Sequence, residues 1–172
     1  MKRLLADTNF YGLLAKDPKR IDIVGSIKTN KRLAIYGFTT IRNELRAVPK
    51  KIKIEGKNLR IDLLNLYDEI GGNHNLKFTD IITQHANGYY KAYREFGGSK
   101  AKNEIINDFV IVACASLNNL DIVISNDERS MLTENAIRAY NLVNSITRKK
   151  TPRVVSYDRF KNILRGETNE LL

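Results

Sequence analysis

Leu4-Leu5-Ala6-Asp7-Thr8-Asn9 and Ile122-Val123-Ile124-Ser125-Asn126-Asp127 are two short apolar runs, each closed by a carboxylate. Both runs read as buried strands, so Asp7 and Asp127 emerge at strand carboxyl ends, where ligands bind in an open α/β sheet. Between them lie Thr39-Thr40-Ile41-Arg42-Asn43-Glu44 and Asn107-Asp108-Phe109-Val110-Ile111-Val112-Ala113, both of which read as helix. Asp108 is embedded among Ile105, Ile106, Phe109, Val110 and Val112. A carboxylate beside so much apolar surface is costly unless its charge is compensated. A hard cation such as Mg²⁺, held by a few carboxylates and several waters, is the simplest compensation.

Working outward from these runs, helices and strands alternate. The first strand, Leu4 to Ala6, leads into a short helix from Asn9 to Ala15, and Asp17 followed by Pro18 suits a helix start. A second strand from Leu33 to Phe38 is followed by Thr39 or Thr40 as the cap of the helix bearing Glu44, which Pro49 ends. Leu59, Leu63, Leu66, Tyr67 and Ile70 form a core-facing helical stripe, and Ile82, Ala86, Tyr89, Tyr90 and Tyr93 repeat the spacing. Leu76 to Phe78 reads as the third strand between them, Ile122 to Ser125 as the fourth and Arg153 to Ser156 as the last, with Asp158 capping a terminal helix that ends at Gly166. Strands separated by helices imply a mainly parallel sheet, because parallel neighbours need crossovers long enough to carry a helix. The expectation is one domain over residues 1–166 with a flexible tail over 167–172.

These residues resemble the PIN-domain family of metal-dependent nucleases, which includes the VapC-type toxins. The family pattern is Asp-x-Asn closing the first strand, a Glu on the helix after the second, an Asp near the start of an apolar helix, and Thr/Ser-x-Asp closing the next strand. Asp7-Thr8-Asn9, Glu44, Asp108 and Ser125-Asn126-Asp127 match it in that order. The resemblance covers nearly the whole chain. It implies a three-layer α/β/α fold with a mainly parallel, roughly five-stranded sheet of order 3-2-1-4-5 and helices on both faces. It also implies an endoribonuclease that hydrolyses single-stranded RNA with Mg²⁺ or Mn²⁺, leaving a 5′-phosphate and a 3′-hydroxyl. Asp7, Glu44, Asp108 and Asp127 would be its catalytic and metal-holding residues. Besides RNA, the partners it implies are a small antitoxin protein and a second copy of the chain. A toxin and a housekeeping RNA-processing enzyme both stay open, as does the choice between one metal and two.

Three of the four acids also have a plainer reading. Asp7 suits a helix cap, Glu44 a solvated helix face, and Asp127 a turn closed with Asn126. Glu104 reads as a solvated rim residue, and Asp121, before its strand, as a turn residue at the end away from the site. Asn9 and Ser125 are placed to orient carboxylates or metal-bound water by hydrogen bonds. His74 and His85 lack partners at ligand spacing, and the stripe at Tyr89, Tyr90 and Tyr93 favours core packing over base stacking. A haloacid-dehalogenase-type phosphatase also opens with a strand ending in Asp, but it needs a second Asp where this chain has Asn9. A non-catalytic PIN-like RNA-binding protein is the nearer rival, and it fits poorly with four retained acids.

Composition adds the partner class. Lys and Arg number 29 against 19 Asp and Glu, a net charge of +10, while the candidate site is acidic. That contrast suits a basic surface that holds a polyanion around an acidic centre. Lys50, Lys51 and Lys53, with Arg148, Lys149 and Lys150, are the candidate RNA-binding clusters. Cys114 is the single cysteine, so neither an intrachain disulfide nor a thiolate zinc site is available, and its apolar setting makes it a core residue. Met1-Lys2-Arg3 runs straight into a strand, and no apolar run reaches the ~20 residues of a spanning helix, so a cytoplasmic protein with no membrane partner is expected.

Overall fold

The computed structural model describes residues 1–166; the tail expected over 167–172 lies outside them. In chain order the elements are β1 (Lys2–Ala6), α1 (Thr8–Lys16), α2 (Arg20–Thr29), β2 (Leu33–Phe38), α3 (Thr39–Ala47), β3 (Lys53–Ile54), β4 (Lys57–Asn58), α4 (Leu59–Ile70), a 3-10 turn (Gly72–His74), β5 (Asn75–Leu76), α5 (Asp80–Glu95), α6 (Lys102–Leu117), β6 (Ile122–Ile124), α7 (Glu134–Ile146), β7 (Arg153–Val155) and α8 (Tyr157–Leu164).

Five strands form one parallel sheet in the order β5-β2-β1-β6-β7, which is 3-2-1-4-5 counted along the sheet strands alone. β1 and β6 pair in the interior of this sheet. Leu4, Leu5 and Ala6 of β1 stand beside Ile122, Val123 and Ile124 of β6, and all six are buried, as strands covered on both faces require. Right-handed crossovers place the helices on opposite faces. On one face α5, α6 and α7 pack on one another; on the other, α1 to α4 and α8 pack together. α6 is central to its layer: Ile105 and the run from Phe109 to Ser116 are buried, Cys114 among them. Tyr89 and Tyr93 pack edge-on against Phe109, so that stripe does build core.

The order of strands sets the functional edge. β1 neighbours β2 on one side and β6 on the other, and the chain leaves β1 toward one face and returns to β6 from the other. The carboxyl ends of β1 and β6 therefore border the crevice at the topological switch point. The amino ends lie at the opposite edge, where Asp121 accepts from the Arg3 N–H at 2.8 Å and pairs with Lys150, as suits a turn residue away from the site.

Several local assignments differ from the sequence reading, most of them because a side chain found another partner. Asp17 does not cap α2. It ends α1, accepts from the Lys19 N–H at 2.9 Å and is held by Tyr157 and Lys161, so α2 starts at Arg20. Neither Thr39 nor Thr40 caps α3; the Thr39 hydroxyl instead accepts from the Phe78 N–H at 3.1 Å. That bond takes Phe78 out of the third strand, which closes at Leu76. Ser156, not Asp158, caps α8 through the Arg159 N–H, while Asp158 pairs with Lys161 one turn on. The basic stretch after Pro49 contains an unforeseen β3–β4 hairpin, turned at Glu55 and Gly56 with φ of 49° and 77°.

Candidate active site

The four acids reach one edge from four elements. Asp7 leaves β1 and caps α1, accepting from the Asn9 N–H at 2.6 Å, so its plainer role is real and coexists with its place at the crevice. Its own N–H donates to the Ile124 carbonyl at 3.0 Å, tying it to β6. The second carboxylate oxygen accepts from the Ser125 hydroxyl at 2.5 Å, and only 3% of Asp7 is exposed. Ser125 in turn accepts from the Asp127 N–H at 3.1 Å. One buried hydroxyl thus joins the first motif to the last, which explains the Ser-x-Asp spacing: the side chain of residue i closes a turn on the N–H of i+2 while turning its proton toward the neighbouring strand.

Asp127 closes the next turn, accepting from the N–H groups of Arg129 and Ser130 at 3.0 Å each. The Ser130 hydroxyl then donates to Asp108 on α6. Glu44, on α3, accepts from the Thr8 hydroxyl. Three hydroxyls therefore each hold one acid: Ser125 holds Asp7, Ser130 holds Asp108 and Thr8 holds Glu44. Sequence reasoning singled out Ser125 and missed the other two. Thr8 lies inside the first motif and Ser130 lies three residues beyond the last, but a hydroxyl there carries no signal until the elements meet.

Charge and burial act on these acids together. Burial pushes the Asp7 carboxyl up to about 6, opposed by the bonds from Ser125 and Asn9 and reinforced by the negative charge of Asp108. Burial likewise pushes Asp108 up to about 6, opposed by the Ser130 bond and reinforced by the charges of Asp127 and Glu44. All four motifs therefore share one field. Lys100, on the loop before α6, acts on Asp108 in the opposite sense and is a cation that the sequence reading overlooked.

The remaining candidates fall elsewhere. Asn9 contributes its backbone N–H, and its exposed side chain makes no hydrogen bond among the described residues. Arg148, Lys149 and Lys150 follow α7 toward the amino end of β7, at the edge opposite the acids, and Lys150 pairs with Asp121 there. Lys50, Lys51 and Lys53 follow the far end of α3 and are exposed. Among the described residues, no three His, Cys, Asp or Glu side chains gather closely enough to form a ready-made shell for a cation. His85 is committed to Asn144 at 2.8 Å, and His74 stacks on Tyr36. No helix among the described residues is long and apolar enough to cross a membrane.

No family model and no curated protein matches the sequence. Solved structures do match the fold. The chain superposes on one from VapBC2 of Rickettsia felis, bound to a DNA fragment from their promoter, with a TM-score of 0.58 and 12% identity over 90% of this chain and 98% of that one. FitAB bound to an IR36 DNA fragment gives 0.56 and 14% over 90% and 94%. DNA-bound VapBC from Salmonella typhimurium gives 0.55 and 16% over 91% and 99%. Agreement over nine-tenths of the chain, with a five-stranded parallel sheet between two helical layers, means that this protein has the PIN-like fold its sequence motifs predicted.

Proposed function

We propose that the protein is a metal-dependent endoribonuclease that hydrolyses phosphodiester bonds in single-stranded RNA, acting as a VapC-like toxin. The observation that carries this reading is the convergence of Asp7, Glu44, Asp108 and Asp127 at the switch-point edge, each held by a hydroxyl or by backbone N–H groups. The buried Ser125 and Ser130 hydroxyls are spent as donors to these acids, and both histidines are engaged elsewhere, so the arrangement suits metal-assisted hydrolysis better than nucleophilic catalysis.

The donor set fits Mg²⁺ or Mn²⁺. It is made of oxygens alone, and Mg²⁺ is commonly bound by one or two carboxylates with the rest of its shell water, so a closed cage is not required. When bound, the cation would polarise a phosphoryl oxygen and make a water more acidic. Two or more of Asp7, Glu44, Asp108 and Asp127 would hold it. Ser125, Ser130 and Thr8 keep three of those acids in fixed orientations. A cation bound there would offset the burial that disfavours charge on Asp108. Lys100 adds positive charge beside it for an approaching phosphate.

The toxin role and its partners rest on the likeness to the VapBC and FitAB complexes. A small antitoxin and a second copy of this chain are the proposed protein partners, and the cytoplasm is the proposed compartment. RNA contacts are proposed for Lys50, Lys51 and Lys53, and, for a strand long enough to reach the edge opposite the acids, for Arg148, Lys149 and Lys150. A small DNA-binding protein encoded immediately upstream would support the toxin role over RNA processing. The activity itself is tested with a labelled unstructured RNA in Mg²⁺, Mn²⁺ or chelator. Cleavage should need the metal and vanish in Asp108→Asn. Robust cleavage in chelator, or none with any metal on several RNAs, would overturn the reading.

A further inference from the structure

An open groove of about 520 Å³ adjoins the acids and is lined by Thr39, Asn43, Glu44, Phe78 and Asn107. Phe78 is its unusual member. Phe10, Phe38, Phe109 and Phe160 are no more than 1% exposed and Phe96 is partly buried, yet Phe78 is 49% exposed. It is also fixed in place. Its N–H donates to the Thr39 hydroxyl at 3.1 Å, and its ring lies nearly parallel to that of Phe38, with centroids 6.5 Å apart and an interplanar angle of 23°. Phe38 backs the ring from the core while half of Phe78 stays in water. The residue follows β5 by two positions, so it stands on the same carboxyl edge as Asp7 and Asp127.

The polar lining has free capacity. Asn43 lies one residue before Glu44 and Asn107 one residue before Asp108, and both are exposed. Neither amide side chain has a hydrogen-bond partner among the described residues. An amide offers donors and an acceptor together, as the edge of an unpaired base does. Single-stranded RNA is read by this combination, an aromatic face for stacking with hydrogen-bonding groups around it.

We infer that this groove is a nucleobase subsite, in which a base adjacent to the scissile phosphate stacks on Phe78 while Asn43 and Asn107 read its edge. The inference rests on the nuclease reading and assigns it a source of sequence preference. Glu44 is common to the groove and the acidic site, so a base seated there belongs to a nucleotide next to the reacting phosphate.

The test uses the full chain and a randomised single-stranded RNA pool cleaved in Mn²⁺, with cut sites read by sequencing. Wild type should show a base preference at one position beside the cut. Phe78→Ala should weaken that preference and raise KM about five- to a hundredfold, the range that loss of one stacked base gives, with kcat and Mn²⁺ affinity little changed. Phe78→Tyr should restore both, and Asn43→Ala or Asn107→Ala should broaden the preference with a smaller rise in KM. In the Asp108→Asn background, an abasic site at the preferred position should weaken RNA binding, and Phe78→Ala should erase that difference. A wild type that cleaves RNA with no preference, or a folded Phe78→Ala with unchanged KM and cut sites, overturns the subsite and leaves the nuclease reading standing. A wild type that neither cleaves nor binds any RNA overturns both.

Discussion

At the scale of single residues, Ser130 is the most informative side chain in the site, since its N–H serves Asp127 while its hydroxyl serves Asp108. It is 1% exposed, so its own hydroxyl and N–H are shielded from water. Ser130→Ala should leave Asp108 without the donor that opposes its raised carboxyl, and Mn²⁺ affinity, measured by titration of the RNA-free protein, should fall about 10- to 100-fold. Ser130→Thr keeps the hydroxyl and should recover most of it. Equal affinity in wild type and Ser130→Ala would mean that the bond serves folding alone. The acids themselves were legible in the sequence because each follows or interrupts an apolar run. Ser130, Thr8 and Lys100 were not, because their roles come from residues 22 or 36 positions away or from a loop whose path the sequence does not state.

At the scale of elements, strong periodicity carried most of the fold. β1, β2, α4 and α5 stand within a residue or two of where apolar spacing put them. What failed were caps and edges, because a hydroxyl or carboxylate near a helix start has several partners to choose from. Asp17, Thr39 and Asp158 each chose a partner other than the helix N–H groups. α8 gives a direct check. Ser156→Ala removes its capping bond and should cost about 1 kcal/mol in urea unfolding, whereas Asp158→Ala, an exposed position, should cost less. A second check lies where α5, α6, α7 and the approach to β7 meet. There the Asn144 carbonyl oxygen is shared by His85, Tyr89 and Ser116 at 2.8, 2.7 and 2.9 Å, and its amide nitrogen donates to Thr151. Asn144 is fully buried, so Asn144→Ala strands several polar groups at about 1–3 kcal/mol each. We expect a loss of at least 3 kcal/mol, read as a large drop in Tm. A loss below 1 kcal/mol would show that the network relaxes onto other partners.

At the scale of the whole molecule, a chain of net charge +10 carries four of its acids together at one edge, and the basic surface and this acidic site predict opposite responses to solvent. RNA binding through Lys and Arg releases counterions, so affinity should fall steeply as salt rises, and a flat response would assign the basic surface to an acidic protein partner. The acids govern stability. In metal-free buffer Asp7 and Asp108 titrate near 6 when folded and near 3.8 when unfolded, so between those values the folded chain binds more protons. Stability from these two groups is therefore complete below about 3.8 and is lost as pH rises through 6. A two-unit shift corresponds to about 3 kcal/mol for buried Asp7, with less from the more accessible Asp108 and less than the sum from the coupled pair. Asp17 and Asp121 are held below the usual carboxylate range, so their stabilisation is present above 3.8 and disappears only at lower pH, outside this window. Thermal unfolding in chelator should thus give a Tm that falls from pH 5 to pH 7, and the fall should shrink in Asp7→Asn and in Asp108→Asn. Mn²⁺ should restore Tm at pH 7 in wild type, because cation binding favours the ionised carboxylates that the bare site disfavours. Asp108→Asn should be at least as stable as wild type in chelator at pH 7 while losing activity by orders of magnitude, as expected where a site is strained for chemistry. If Asp108→Asn instead unfolds well below wild type at that pH, the Ser130–Asp108 bond is anchoring the fold and the acid is structural.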